Sequence, residues 1–507
     1  MTERLKTAVK TIVLAGYQLD KEAFEILKLL QDREELEEVT KEIVKEVNQL
    51  TPKPVMVTKD MVEKITAKLR KEKELATPAI TESLRARVPY AKEVESRIQV
   101  LRDPTKTIGS GGTIEAFTKH FRDRFNKISR ILRERLDVRD ARTIGEALEA
   151  PPNEKVKFIA MVIEKREKRR RIFLQVDDLE NAATVLIPAE ADRLLIEAAQ
   201  RTPLDQVVCI EATRAGGDLF VGQNIILPDI PEKRANHADE PVYAALLSDI
   251  HVGSRTFLED AFSRFVLWLN GKIGGQKQME IAERTKYAII AGDLVDGIGV
   301  YPRQEDELSI KDIREQYKLV AQYIEQIPDY IDVVLIPGNH DAVRQALPQP
   351  AIPREFADPI YAARDVISLG NPAEIKIHNV HFLLYHGRSL DDVVATFPNL
   401  SFQTPEKAME LLLKCRHLAP EYGKRTTIAP EAEDDLVVET PPDVFQSGHI
   451  HVAKYETYRG TLVVNCGAWQ AQTDYQKKMG LDPTPGILPL LNLQTLEVHM
   501  MDFTSPQ

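Results

Sequence analysis

Side chains that bind metal ions recur after five short apolar segments in the second half of this 507-residue chain. The segments are VYAALLS, KYAIIAG, DVVLIPG, HFLLY and DVFQSG, and each has the length and apolar character of a buried strand. The residues that follow them are Asp249 and His251, Asp293, Asn339 with His340 and Asp341, His386, and His449 with His451. Because ligands bind beyond the carboxyl ends of strands in open α/β sheets, all five ends can converge on one site.

The donors are imidazole nitrogens, carboxylate oxygens and one amide oxygen, without a thiolate. This mixture suits Mn²⁺, with Fe²⁺ or Zn²⁺ as alternatives, rather than a structural zinc ion. Two such ions about 3.5–4 Å apart can clamp a phosphate, activate a bridging water and stabilise the attacking and leaving oxygens. Asp293 is the natural bridging carboxylate. Since five of the 11 histidines directly follow these segments, coincidence is remote, and we predict a two-metal phosphodiesterase site.

Local spacing adds two expectations about the site. Asp249 and His251 are two residues apart, as are His449 and His451, so in an extended segment each pair places its side chains on the same side. Three glycines, Gly292, Gly338 and Gly448, precede ligand residues, where we expect tight backbone turns.

The order DIH, GDLVDG, GNHD, YHG, GHIH resembles that of the calcineurin-like metallophosphoesterases. The resemblance implies two ligand sets that share one residue: Asp249, His251, Asp293 and His451 for the first ion, and Asp293, Asn339, His386 and His449 for the second. It also implies that His340 lies near the leaving-group oxygen as general acid or transition-state stabiliser, with Asp341 orienting its imidazole.

A narrower resemblance covers about residues 113–500. The segments GDLVDGIGVYP, PGNHDAVRQALPQP, YHGRSLDD and SGHIHVAKYETYRG are similar to those of the small, exonuclease subunits of archaeal family D DNA polymerases. The related B-subunits of eukaryotic replicative polymerases have lost metal ligands, whereas this chain keeps them. The resemblance implies a 3′→5′ exonuclease that acts on single-stranded and mispaired DNA ends, in complex with a large catalytic polymerase subunit.

Residue patterns divide the chain into five parts. Residues 1–70 have apolar residues at helical spacing and predict a small helical module, whereas 71–112 lose this period and predict a linker. Residues 113–150 predict an amphipathic helix. Residues 154–231 read strand-strand-strand-helix-strand-strand, the order of an OB-fold β-barrel. From 241 to 500 strands and helices alternate, which predicts an α/β phosphoesterase sandwich of mixed sheets flanked by helices.

Two clusters of basic residues could contact DNA. The amphipathic helix surrounds its apolar stripe with Lys119, Arg122, Arg124, Lys127, Arg130 and Arg133. Docking of that stripe on a neighbouring domain is the favoured alternative to phosphate contact. The first hairpin of the barrel carries Lys165, Arg166, Lys168, Arg169, Arg170 and Arg171. Only Phe158, Phe173 and Phe220 could stack on bases, so DNA binding and a purely structural barrel both stay open.

Residues near the motifs complete the candidate site. Asp296 and Tyr301 could line the substrate groove, although a contact between Asp296 and a ligand histidine is favoured. Arg344 and Arg388 lie within five residues of a metal ligand and could hold a substrate phosphate, with a salt bridge to a nearby carboxylate as the equal alternative. The acidic stretch of residues 431–439 is expected to be a solvated loop.

Composition excludes several classes of protein. The chain has no apolar run of about 18 residues, and its charged N-terminus lacks a signal-peptide pattern. Three scattered cysteines argue against a disulfide framework. These features predict a cytoplasmic protein without a membrane association. The net charge of −11 disfavours non-specific wrapping of DNA but leaves a local DNA site open.

Two other functions compete with a proofreading subunit. A stand-alone repair nuclease of this superfamily usually starts near its first DxH motif, whereas about 240 residues precede Asp249 here. A scaffold subunit with a silent site is the second alternative, and the complete ligand set argues against silence.

Overall fold

The computed structural model describes residues 3–29, 35–49, 54, 56–66, 88–397 and 399–505. The chain divides into two compact units, Met1–Val88 and Pro89–Gln507. No helix among the described residues has both the length and the apolar character needed to cross a membrane.

The first unit is helical. Its helices are α1 Glu3–Leu14, α2 Lys21–Leu29, α3 Glu35–Gln49 and α4 over residues 59–66. Two short strands, β1 Gln18–Leu19 and β2 Met56–Val57, pair in parallel. Apolar residues three or four positions apart, such as Leu5, Ala8 and Ile12, form a small core. Residues 67–87, at the expected boundary between helical module and linker, lie outside the described residues.

The second unit begins inside the expected linker, and the structure corrects that expectation. Helix α5 Tyr90–Glu93 is followed by strand β3 Ile98–Arg102, which pairs antiparallel with the strand Ala373–Ile377. Arg102 reinforces the pairing through an ion pair of 2.8 Å with Asp435. Five residues on a partly exposed sheet edge carry too little alternation of apolar and polar side chains to be recognised as a strand.

The expected helix over 113–150 is two helices, α6 Ile114–Arg133 and α7 Ile144–Glu149. The second starts anew because Thr143 and Glu146 form a capping box at its first turn. Leu136, which the sequence pattern places on the apolar stripe, lies beyond α6 and is 80% exposed.

Helix α6 docks on the acidic stretch 431–439, which corrects the expectation of a solvated loop. Asp434 is buried and accepts a hydrogen bond of 2.7 Å from Arg124, which is also buried. Arg130 and Lys127 form ion pairs with Glu439. Asp434 and Glu439 are therefore neutralised by α6, and several of the cations on this helix are committed to protein contacts.

A closed five-stranded barrel follows α7. Its elements are β4 Lys155–Lys168, β5 Arg171–Asp177, β6 Ala182–Ile187, α8 Arg193–Arg201, β7 Val207–Gly216 and β8 Leu219–Ile226. The strand order is β4-β5-β6-β8-β7, and β6 pairs with β8 in parallel. Phe158 and Phe220 are buried with ring centroids 5.0 Å apart. These two aromatic rings therefore belong to the barrel core and are closed to nucleic-acid bases.

Two six-stranded mixed sheets pack face to face in the rest of the unit. Their strands are β9 Tyr243–Leu247, β10 Thr285–Ala291, β11 Asp332–Ile336, β12 Ile367–Ser368, β13 Ala373–Ile377, β14 Val380–Leu384, β15 Val444–Ser447, β16 Lys454–Tyr458, β17 Thr461–Asn465, β18 Ile487–Asn492 and β19 Val498–Asp502. The sheet orders are β12-β11-β10-β9-β18-β19 and β16-β17-β15-β14-β13-β3. In each sheet the central strands run parallel.

Helices cover the outer faces of both sheets. They are α9 Glu259–Leu269, α10 Gln276–Ala282, α11 Ile313–Glu325, α12 Arg354–Ala363, α13 Leu390–Thr396, α14 Pro405–Cys415 and α15 Asp474–Met479. Alternate residues of one strand enter different layers: Leu246 joins the core between the sheets, and Leu247 the core under the helices. Burial on both faces explains the unbroken apolar runs that precede the ligand residues.

Candidate metal centre

The segments after β9, β10, β11, β14 and β15 meet at one end of the two sheets. Asp249 and His251 approach His451 from the opposite sheet, with Asp249 Oδ1 3.4 Å and His251 Nε2 3.1 Å from His451 Nε2. These three side chains form one group that can hold a metal ion.

A second group lies beside the first and consists of Asp293, His386 and His449. Asp293 Oδ2 is 3.3 Å from His386 Nε2, and Asn339 Oδ1 is 3.1 Å from the same nitrogen. Asp293 Oδ2 also lies 3.8 Å from His251 Nε2, in the first group. The structure thus brings together all seven expected ligands, with Asp293 between the two groups.

The donors fit two divalent ions, because two carboxylate oxygens at the centre have imidazole neighbours but no hydrogen-bond partner. Asp249 Oδ2 accepts a hydrogen bond from His449 N, and Asp293 Oδ1 accepts one from His340 N, each at 2.8 Å. Among the described residues, the remaining oxygens, Asp249 Oδ1 and Asp293 Oδ2, are buried without a hydrogen bond. Buried carboxylate oxygens are normally paired or bound to metal, and imidazole nitrogens surround these two.

Partners behind the ligands fix the orientation of the imidazoles. His251 Nδ1 lies 3.1 Å from Asp296 Oδ1, which is the favoured expectation for Asp296. His386 Nδ1 donates to the carbonyl of Ala291 at 2.9 Å. His449 Nε2 contacts Asp391 Oδ2 at 3.1 Å. The sequence analysis missed Asp391, although it lies in the same YHGRSLDD segment as His386.

The backbone at the ligands departs from the extended conformation expected from their spacing. Five of them have positive φ angles: Asp249 at 52°, His251 at 53°, Asp293 at 52°, His449 at 68° and His451 at 62°. This left-handed conformation costs a non-glycine residue about 1–2 kcal/mol. Such strain concentrates at functional sites, where the surrounding fold holds the residues in place.

The three glycines before the ligands are explained by close approach of the backbone to neighbouring side chains as well as by turn geometry. Gly292 has φ of 94° and lies in the tight turn that was expected. Gly338 and Gly448 do not have positive φ, but a Cβ on Gly448 would collide with Ser248 and Asp249, and one on Gly338 with Asp293. These two positions therefore bring the backbone against the central carboxylates.

His340 and Asp341 are arranged differently from the family-based expectation. His340 Nδ1 donates to the backbone carbonyl of Asp296 at 2.7 Å. Asp341 instead accepts hydrogen bonds from the Tyr317 hydroxyl at 3.0 Å and from Gly338 N at 2.9 Å. Asp341 thus organises the GNHD loop, and Asp296 orients the His340 imidazole.

Burial and opposed charges shift the pKa values in the site. Burial alone disfavours the charged form of His251, but the carboxylates of Asp249 and Asp296 outweigh it and raise its pKa to about 10. Burial lowers the pKa of His340. Burial, together with the charge of Asp293, raises the pKa of Asp341 to about 7. Without a metal ion, the first group therefore holds a proton that a cation would displace.

A cavity of about 290 Å³ opens over both groups. Its lining includes His340 and Arg388. Asp296 and Tyr301, which were expected to line the substrate groove, also line it. Arg344 is absent from the lining and forms an ion pair of 2.7 Å with Glu431, so the salt-bridge alternative holds for it.

Comparison with known proteins identifies similar chains. A family model that describes the B-subunits of DNA polymerases alpha and epsilon matches residues 246–456. The chain is 40% identical to the DNA polymerase II small subunit of Pyrococcus abyssi over 422 residues, which are 82% of this chain and 68% of that protein. It is 37% identical to the corresponding subunit of Archaeoglobus fulgidus, over 95% of this chain and 94% of that one.

Solved structures are less similar to this chain than these relatives are. A novel archaeal phosphodiesterase is 15% identical, with a TM-score of 0.24 over 51% of this chain and 99% of that chain.

Proposed function

Because this chain belongs to the small subunits of archaeal DNA polymerase II, the family D polymerases, we propose that it hydrolyses phosphodiester bonds at the 3′ ends of DNA. In this proposal it is a metal-dependent 3′→5′ exonuclease that removes nucleotides from single-stranded or mispaired ends. It works beside a large catalytic polymerase subunit, so that hydrolysis serves proofreading during replication. The chain's barrel, with its helix between the third and fourth strands, is proposed to be an OB-fold.

One observation carries the proposal: two buried carboxylate oxygens without partners, set among imidazole nitrogens. Asp249, His251, Asp293 and His451 would hold the first ion, and Asp293, Asn339, His386 and His449 the second. Nitrogen and oxygen donors without thiolate favour Mn²⁺, with Fe²⁺ or Zn²⁺ as alternatives. When bound, such a pair supplies a water activated for attack and positive charge for the leaving oxygen.

The protein's own contribution to proton transfer comes from His340. Its Nδ1 donates to Asp296, which leaves Nε2 to exchange a proton with the substrate in the cavity. Burial lowers the pKa of His340, so the imidazole is a stronger acid once Nε2 has taken up a proton, and it can pass that proton to a leaving oxygen. We therefore assign His340 as the general acid and Asp296 as the residue that positions it.

An end-labelled DNA assay tests the proposal. Purified protein with Mn²⁺ should shorten a single strand from its 3′ end and should lose this activity with a chelator. His340→Ala should lower kcat by about 10²-fold or more while Mn²⁺ binding, measured by calorimetry, stays unchanged. Undiminished hydrolysis by this variant would remove His340 from the reaction.

Two competing functions predict different results. A stand-alone repair nuclease would purify without a large partner, whereas a polymerase subunit should cofractionate with one. A scaffold with a silent site would contain no bound metal after purification, and metal analysis of the isolated protein distinguishes it. The unpartnered oxygens of Asp249 and Asp293 favour an active site over a silent one.

A further inference from the structure

The cavity is lined by two arginines whose guanidinium groups are not committed to a direct contact with a carboxylate. Arg388 is half-buried and Arg425 exposed, and both line the cavity that contains the metal ligands. Within the described part of the chain, neither guanidinium forms a hydrogen bond or an ion pair. The carboxylate of Asp391, the neighbour whose pKa both cations lower, is already in contact with His449.

The loop that bears Arg425 is held against the metal-binding segment. Asp392 is buried, and its two carboxylate oxygens accept hydrogen bonds from Arg425 N at 3.0 Å and from Thr426 N at 2.9 Å. Asp392 lies in the same YHGRSLDD segment as the ligand His386 and as Arg388. The backbone of Arg425 is therefore fixed beside Arg388, although the two residues are far apart in the sequence.

An apolar surface accompanies the two cations. Phe402 and Leu481 line the same cavity, and Phe402 is only partly buried against the core below it. Guanidinium groups bind phosphate oxygens, and an aromatic face stacks with a nucleobase. A cationic pair next to an exposed ring is thus the combination that a single-stranded polynucleotide needs.

We propose that Arg388 and Arg425 bind a phosphate of the DNA strand outside the bond that is cleaved, and that Phe402 supports an adjacent base. This inference rests on the proposed exonuclease function and predicts a preference for polynucleotides over small phosphodiesters. Two divalent ions would balance the four carboxylates of Asp249, Asp293, Asp296 and Asp391, so Arg388 and Arg425 leave the cavity positively charged. A second phosphate therefore binds where the field is already favourable.

We would measure binding of a fluorescent single-stranded oligonucleotide in the presence of a chelator. This separates the contribution of the arginines to affinity from that of the metal ions. Arg388→Gln and Arg425→Gln should each weaken binding about tenfold. Each should also reduce the slope of log affinity against log salt by about 0.7, the value for one lost phosphate contact on a single strand. With Mn²⁺, the same variants should raise KM more than they lower kcat.

Lys424→Gln is the matched control. It removes the same charge from the adjacent position, but Lys424 pairs with Glu421 at 3.7 Å and does not line the cavity. This variant should bind DNA as the wild type does. Phe402→Leu keeps an apolar side chain and removes the ring, so it should weaken binding about fivefold or more without changing the salt slope.

The outcomes separate this inference from the proposed function. Equal affinity and salt slope in the wild type, Arg388→Gln and Arg425→Gln would overturn the role of the arginines and leave the exonuclease proposal intact. A wild-type protein that hydrolyses bis(4-nitrophenyl) phosphate but neither binds nor shortens single strands would overturn both. Because Arg425 is exposed, its replacement does not endanger folding, and thermal melting alongside Lys424→Gln verifies this.

Discussion

At the scale of single residues, the two central aspartates divide their oxygens between the fold and the proposed metal ions. One oxygen of each accepts a hydrogen bond from the backbone N–H of another loop, and the other oxygen is left among imidazoles. A substitution at either position therefore has two separable effects, one on the loop and one on the metal site.

Replacement of Asp293 by Asn and by Ala separates these effects. Asparagine can still accept the hydrogen bond from His340 N but loses the charged bridging oxygen. We expect Asp293→Asn to lose metal binding and about 10²-fold in activity with little change in stability. Asp293→Ala should also lose about 1–3 kcal/mol of unfolding free energy, because a buried N–H is left without a partner.

Calorimetry with Mn²⁺ and chemical denaturation measure the two effects. Equal stability of both variants would show that the contact with His340 N contributes nothing to the fold.

The convergence of the seven candidate ligands was predictable from the sequence because they follow the ends of five strands, which is local information. The residues that contact these side chains from behind could not be predicted from such local information. Asp341 was expected to orient the imidazole of the adjacent His340. Its carboxylate instead accepts hydrogen bonds from the Tyr317 hydroxyl and from loop amides. Asp391 contacts His449, a residue far along the chain, so that no spacing rule indicates it.

At the scale of secondary-structure elements, α6 is attached to the two-sheet sandwich by a buried polar cluster. Asp434 receives hydrogen bonds from Arg124 and from His417 Nε2, the latter at 2.9 Å, and His120 lies 3.3 Å away. The sequence indicated the apolar stripe of α6 correctly. It could not show that Arg124 is buried, since that depends on an acidic partner about 300 residues later.

The cluster makes stability depend on pH. Burial, reinforced by the charge of Arg124, lowers the pKa of His417 to about 4, below the unfolded value of 6.5. Between these values the unfolded chain binds a proton that the folded protein does not, so stability falls as pH decreases from about 6.5 to about 4. The loss attributable to His417 is on the order of 2–3 kcal/mol.

Urea denaturation at several pH values measures this loss. His417→Gln removes the titrating group and should flatten the dependence across that interval. A variant with the same pH profile as the wild type would exclude His417 as its origin.

At the scale of the whole molecule, the second unit joins a closed barrel and a two-sheet sandwich into one compact body. The alternation of strands and helices predicted the sandwich, and the strand order along residues 154–231 predicted the barrel strands. The expected boundary at residue 113 was wrong because β3 belongs to the second sheet. Its edge position leaves only part of its surface apolar, so the composition of this segment resembles that of a linker.

Strand β3 also protects an edge against self-association. It covers β13, whose backbone groups would otherwise form an open row of donors and acceptors able to pair with another chain. A fragment that starts at residue 113 should therefore oligomerise or aggregate, whereas one that starts at residue 89 should stay monomeric by size-exclusion chromatography with light scattering. A monomeric shorter fragment would show that the edge is harmless. If the shorter fragment aggregates as expected, five residues that resemble a spacer decide whether the rest of the second unit can be produced alone.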